Sequence, residues 1–153
     1  MKMIPSQPYM ASNKKKNNAE YRVFDKLKES FVGSNKYIAF HSLNLTRHQY
    51  KRFGEADFVI ICEYGLFVFE VKGGSISCNE GVWYSTNDDG KHNISNPFTQ
   101  AETAMHAIFK AIEETNISHL NIAIGYGGIF PSGSWTVKSS EWDREIIWDA
   151  NNF

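Results

Sequence analysis

The sequence predicts a mixed α/β domain, a central mixed β-sheet flanked by helices in the order αβββαβ. Three observations carry this. Apolar residues recur at helical spacing near both ends of the first two thirds of the chain, at Val23, Phe24, Leu27 and again at Ala101, Ala104, Met105, Ile108. Between them, Phe58-Val59-Ile60-Ile61 and Leu66-Phe67-Val68-Phe69 are short apolar runs parted by turn residues. Helical and strand patterns thus alternate, which is the arrangement that covers a sheet with helices.

The first helix is predicted over Ala19–Phe31, with Val23, Phe24, Leu27 and Phe31 on one stripe and Gly33 ending it. Glu20 precedes Val23, Phe24 and Leu27 by three, four and seven residues, so it belongs to the buried stripe. Tyr37–Leu45 reads as the first strand, with Ile38 and Phe40 sharing a face. A polar loop, 46–53, carries Arg47, His48, Lys51 and Arg52. A hairpin follows, turning at Tyr64-Gly65, and Gly81-Val82-Trp83-Tyr84 reads as a further short strand. Asn96-Pro97 opens the second helix, with Asn96 as N-cap and Pro97 at the first helical position. Asn121–Gly125 reads as a late strand and Glu145–Trp148 as another.

Composition narrows the functional classes. At 153 residues the chain fits one domain with a real core, with 42% hydrophobic and 22% charged residues. The organisation expected is a polar arm over 1–18, one domain over 19–150, and a tail, 151–153, that reads as a boundary inside a longer protein. The net charge of −1 supplies no global field to draw in a polyanion. Neither signal peptide nor membrane span is visible, and the two cysteines have no zinc-site spacing, which together point to a cytoplasmic protein. The histidines at 41, 48, 92, 106 and 119 have no metal-binding spacing; His41 reads as a core residue. The tryptophans 83, 135, 142 and 148 read as core or partner contacts, with the stretch from Trp135 to Trp148 as the alternative homodimer surface. No Gly-rich phosphate loop, Ser-His-Asp order or nucleophile elbow is present, so kinase and serine-hydrolase chemistry have no support.

The hairpin is where charge intrudes on a core. Asp57, Glu70 and Lys72 interrupt strands otherwise fit for burial, and buried charges cost several kcal/mol unless paired or metal-bound. Alternation puts Glu70 and Lys72 on one face. A two-residue loop at Tyr64-Gly65 pairs Glu63 with Leu66 and sets Asp57 directly opposite Lys72, with Glu70 on the diagonal at roughly 7–8 Å. Glu55 falls on the same face as Asp57 and reads as a rim residue. Carboxylate oxygens suit Mg²⁺ or Mn²⁺, and Asp57 with Glu70 can share one such ion. Lys72 can then stabilise developing charge, and Glu20 can bind a second ion or orient a water. Those parts together hydrolyse a phosphodiester.

An acid on a first helix, then Asp, then Glu-x-Lys on a hairpin, resembles the PD-(D/E)xK phosphodiesterases, the restriction-endonuclease-like superfamily. More narrowly, the chain resembles the nuclease-related (NERD) domain. The matching segments are Ala19-Glu20 with Val23-Phe24 and Leu27, His41-Ser42-Leu43, Gly54-Glu55-Ala56-Asp57-Phe58, Val68–Gly74, and Asn96-Pro97-Phe98 with Gln100-Ala101. The resemblance spans about residues 17–125 and implies a restriction-endonuclease-like core. It further implies metal binding at Asp57 and Glu70, catalysis at Lys72, support from Glu20, and a brace at Gln100. Ala56 stands where the superfamily name has proline, a position without chemistry. The implied activity is a Mg²⁺- or Mn²⁺-dependent nuclease acting on nucleic acid, DNA ahead of RNA. A helicase or kinase domain is an expected neighbour, and the alternative is a non-catalytic binding module on the same fold. Lys14, Lys15, Lys16, Arg47, Lys51 and Arg52 are the candidate phosphate contacts.

Overall fold

A computed structural model describes residues 1–8, 19–45, 55–115, 121–139 and 142–153. The candidate phosphate contacts at 14–16, 47, 51 and 52 lie outside the described residues, as do His48, Gly54 and His119. A six-stranded sheet has the order β1-β2-β3-β4-β8-β9, formed by β1 (Lys2–Ile4), β2 (Ile38–Asn44), β3 (Glu55–Cys62), β4 (Gly65–Val71), β8 (Ile124–Phe130) and β9 (Ile147–Asp149). Strands β2, β3 and β4 are antiparallel neighbours, while β1–β2, β4–β8 and β8–β9 are parallel. Helix α1 (Ala19–Glu29) covers one face and α2 (Pro97–Glu113) the other. This is a mixed α/β fold with a central mixed sheet between two helices, consistent with a restriction-endonuclease-like core. Neither helix is long and apolar enough to cross a membrane, among the described residues.

Amphipathic patterning explains the layers. Val23, Phe24 and Leu27 of α1 are buried against Ala39, Phe58, Ile60, Val71 and Ile129. On the opposite face Ala104 and Met105 of α2 pack on Val59, Leu66 and Val68. Phe31, expected on the α1 stripe, lies beyond the helix end with φ 53° and 54% exposure, stacked on Tyr37 at 4.0 Å. At α2 the predicted cap is present: Asn96 Oδ1 accepts from the N–H of Phe98 at 2.9 Å and of Thr99 at 3.3 Å. Asn96→Ala is therefore expected to lower stability by about 1 kcal/mol, read as a shifted urea midpoint. An unchanged midpoint would show that the cap is energetically idle.

Several expectations need correction. The hairpin turns at Glu63-Tyr64, not Tyr64-Gly65, because Cys62 pairs with Gly65 and Ile61 with Leu66. Gly65 belongs to the strand, with φ 142°, because a β-carbon there would collide with the carbonyl of Ala123. The late strand runs Ile124–Phe130 rather than Asn121–Gly125, through Gly127, where a β-carbon would meet the backbone oxygen of Ile146. The stretch 1–18, expected as a polar arm, starts with the edge strand β1 paired to β2.

Between β4 and α2 the chain inserts a second, antiparallel sheet, β5 (Ser75–Asn79), β6 (Val82–Asn87) and β7 (Gly90–Ile94), of which only a piece of β6 was expected. Cys78 lies in β5 as a free cysteine. Trp83 of β6 stacks on Trp135 at 5.3 Å and also meets Phe98 and Trp142. Trp135 and Trp142 are 5% and 9% exposed, so the exposed aromatic surface on which a homodimer was expected does not exist at those positions.

Candidate active site

The charged residues meet where the β3–β4 ladder stops. The last pair is Phe58 with Phe69, and one further step of that register sets Asp57 across from Glu70, not Lys72. The expected register is off by two residues, an even slip that leaves every side chain on its face. Beyond the last pair the Asp57 side chain takes over the role of the ladder: its Oδ2 accepts the backbone N–H of Val71 at 2.8 Å. Glu70 is 6% exposed, and its Oε1 accepts from Lys72 Nζ at 2.6 Å. Gly73 and Gly74 end the strand, and Gly74, with φ 79°, lies so close to Ser85 and Thr86 that no β-carbon would fit. They accommodate the chain's own backbone.

Glu20 arrives from the first turn of α1, its side chain 26% exposed and its Oε2 3.7 Å from His41 Nε2. Gln100 lies in the first turns of α2 beside a cavity of about 230 Å³ that Glu55, Thr99 and Thr103 also line. Its Oε1 is buried with no hydrogen-bond partner among the described residues. The structure thus brings Asp57, Glu70, Lys72 and Glu20 together and shows no bond from Gln100 to any of them, among the described residues. His41 and Ser42, beside this group, were not read as site residues. The segment His41-Ser42-Leu43 belongs to the resemblance but carries no role there, since its contacts arise only when α1 folds onto β2.

Electrostatics follow from this crowding. Burial and the facing Glu70 carboxylate push the Asp57 carboxyl from its ordinary 3.8 up to about 7, with Glu20 adding and the Val71 N–H and Lys72 opposing. Burial likewise raises Glu70, against the hydrogen bond and charge of Lys72, with Glu20 and Glu55 adding to the rise. No group of three His, Cys, Asp or Glu side chains forms a ready metal cluster among the described residues. The donors present nevertheless fit a hard cation: after burial, it is the repulsion of neighbouring carboxylates that raises Asp57, and a divalent ion between them would relieve that repulsion as a proton does. Asp57 and Glu70 are the residues that would hold it.

A pH prediction tests the crowding without any metal. A carboxyl whose folded pKa exceeds its unfolded value binds more protons in the native state between those values, so stability falls as pH rises from about 4 to about 7. Asp57→Asn removes that charge and keeps an oxygen for the Val71 N–H. In metal-free buffer it should raise stability at pH 8 by on the order of 2–4 kcal/mol, at about 1.4 kcal/mol per pKa unit, and the gain should vanish near pH 4. Urea titrations at the two pH values decide it; equal effects at both would refute the crowding.

A central mixed sheet with a helix on each face, and Asp, Glu and Lys at the parting ends of two neighbouring strands, define a restriction-endonuclease-like protein. Residues 15–137 match the profile of the nuclease-related domain, NERD. The chain belongs to that family, which is part of the restriction-endonuclease-like superfamily. No curated protein and no solved structure gives a match.

Proposed function

We propose that the chain is a divalent-metal-dependent nuclease domain that hydrolyses DNA phosphodiester bonds. The observation that carries this reading is the convergence of Asp57, Glu70, Lys72 and Glu20 at one end of the sheet in a chain of the nuclease-related family. Asp57 and Glu70, with Glu20 beside them, would hold Mg²⁺ or Mn²⁺. Such an ion supplies Lewis acidity and an acidified water.

The chain's own groups do the rest. The Val71 N–H fixes the Asp57 carboxylate against β4, so its orientation is set before substrate arrives. Lys72, half-buried and paired to Glu70, presents a fixed positive charge where a phosphate gains negative charge on attack. Glu20 accepts a proton-bearing water or completes the ligand set. The lysines at 14–16 with Arg47, Lys51 and Arg52 are the proposed backbone contacts, and a cytoplasmic location with a fused helicase or kinase domain belongs to the same reading.

The test incubates the protein with single-stranded, linear duplex and supercoiled DNA in Mn²⁺, with Glu70→Ala beside it and EDTA in a parallel arm. Cleavage by the wild type, lost in the variant and in EDTA, is the expected result. Equal cleavage by the variant would overturn the assignment. A second reading, a non-catalytic nucleic-acid-binding or domain-interaction module, is favoured by the lack of a three-ligand cluster among the described residues, and the net charge of −1 speaks for its dependence on a partner. Metal-independent DNA binding without cleavage would establish it.

A further inference from the structure

His41 is an odd occupant of its place. Its side chain is 2% exposed and lies between the rings of Phe24, at 5.4 Å, and Phe58, at 4.9 Å. Nδ1 is buried without a hydrogen-bond partner among the described residues. An apolar ring would fill the same space without leaving a polar atom orphaned. Among the described residues, the polar contacts of the imidazole are at Nε2, which lies 3.7 Å from Glu20 Oε2 and 3.4 Å from Ser42 Oγ. A carboxylate can only accept, so Nε2 is the atom that can donate toward Glu20. The next residue is strained: Ser42 holds φ 54° inside β2, a left-handed conformation that strand residues avoid. The pairs His41–Phe58 and Leu43–Ala56 flank it, so the register sets Ser42 across from Asp57. Two locally unfavourable features thus sit side by side at the rim of the acidic group.

We propose that His41 is a positioning residue that holds the Glu20 carboxylate toward the Asp57–Glu70 pair through Nε2. Glu20 is on a helix, and the two other acids are on the sheet. A glutamate has three side-chain torsions, and a rigid donor on the sheet selects the arrangement in which all three acids face one point. The charge of Glu20 is close enough to disfavour ionisation of both Asp57 and Glu70, as that arrangement requires. The catalytic consequence rests on the nuclease reading; the contact itself does not.

The experiment uses the full chain with His41→Phe, His41→Gln, Glu20→Gln and the Phe/Gln double variant. Three quantities are read: cleavage in Mn²⁺, Mn²⁺ affinity by calorimetry, and the urea midpoint. His41→Phe should keep or raise the midpoint while cleavage and Mn²⁺ affinity each fall about 10–100-fold, the usual effect of losing a residue that orients a ligand. His41→Gln, whose amide nitrogen reaches about as far as Nε2, should restore both toward wild type. In the Glu20→Gln background the Phe substitution should add nothing. Wild-type cleavage and Mn²⁺ binding in His41→Phe would overturn the proposal, as would midpoints that fall alike in the Phe and Gln variants, which is the mark of a packing role. If the wild type itself neither cleaves DNA nor binds Mn²⁺, the nuclease reading fails and the midpoints alone judge the contact. Non-additive effects of His41→Phe and Glu20→Gln then sustain it, and additive effects overturn it.

Discussion

Glu70→Ala is expected to reduce DNA cleavage by about 10³-fold or more while leaving the fold intact. The two halves of that result have separate causes. Activity falls because the variant loses a buried oxygen donor and the partner that holds Lys72 Nζ at 2.6 Å. Stability holds because Glu70 is an unfavourable occupant of its site in the absence of metal: burial pushes its carboxyl upward, and the Asp57 and Glu20 charges stand nearby. Its removal lowers Asp57 toward the ordinary carboxylate range and leaves Lys72, 21% exposed, free to turn to water. The checks are a cleavage time course in Mn²⁺ and a urea titration in EDTA on the same preparation. Loss of cleavage together with loss of folding would place Glu70 in the scaffold. Lys72→Met should separate differently, with cleavage down about 10²-fold and stability reduced, since it leaves Glu70 buried without its cation.

Side-chain parity made the heart of this site legible in the sequence. Glu70 and Lys72 share a face whatever the strand pairs with, and an even error in register returns Asp57 to the same end of the sheet. Only the opposite partner was misplaced, because Gly65 reads as a turn residue while its real constraint is the passing carbonyl of Ala123, nearly 60 residues later in the chain. Glu20 was legible for a similar reason: its spacing to Val23, Phe24 and Leu27 is local. Asn96 and Pro97 were legible as a helix start because capping chemistry is written within four residues.

What was not legible is whatever depends on distant contacts. β7 carries polar residues on both faces, and β5 offers only Ile76 and Cys78 as an apolar face over five residues, too short to mark a strand; both pair because β6 lies between them with Trp83 anchored in the core. β1 is three residues long and gains its partner only through β2. Gln100 matches the resemblance in sequence, yet it lines a cavity and, among the described residues, shows no bond to the ion pair. The role inferred for His41 needs α1 docked on the sheet before it can exist.

The largest loss of stability is expected from Asp149→Ala, in the edge strand β9 two strands away from β4. Asp149 is fully buried, yet it is charged and well bonded: Oδ2 accepts from the Trp135 N–H and from Arg144 Nη2, each at 2.8 Å, and Oδ1 accepts from the Asn151 N–H at 2.9 Å. Burial alone would raise its carboxyl, but the two backbone N–H groups and the Arg144 guanidinium outweigh burial and hold it below its ordinary value. Alanine leaves the Trp135 N–H buried without an acceptor and removes three bonds to an ionised carboxylate, while Arg144, 47% exposed, can turn to water. Together this costs about 3–5 kcal/mol, a third or more of the stability of a typical domain. At roughly 2–4 °C per kcal/mol for a chain of this size, the melting temperature should fall by about 10 °C. The sign of the pH dependence separates this acid from Asp57. A lowered carboxyl contributes its full stability above its unfolded pKa and loses it as pH falls below that value, so the gap between wild type and variant should close in acid, where the Asp57→Asn gap also closes but from the opposite side. The damage should reach the neighbourhood of Lys72 as well. Trp135 stacks on Trp83, Trp83 anchors the small sheet, and that sheet follows Lys72 directly, with Ser85 Oγ donating to the Gly73 carbonyl at 2.6 Å. Hydrogen exchange in Asp149→Ala should therefore quicken along β5 to β7 ahead of β3. Uniform quickening would mean that the tryptophan cluster does not transmit the loss.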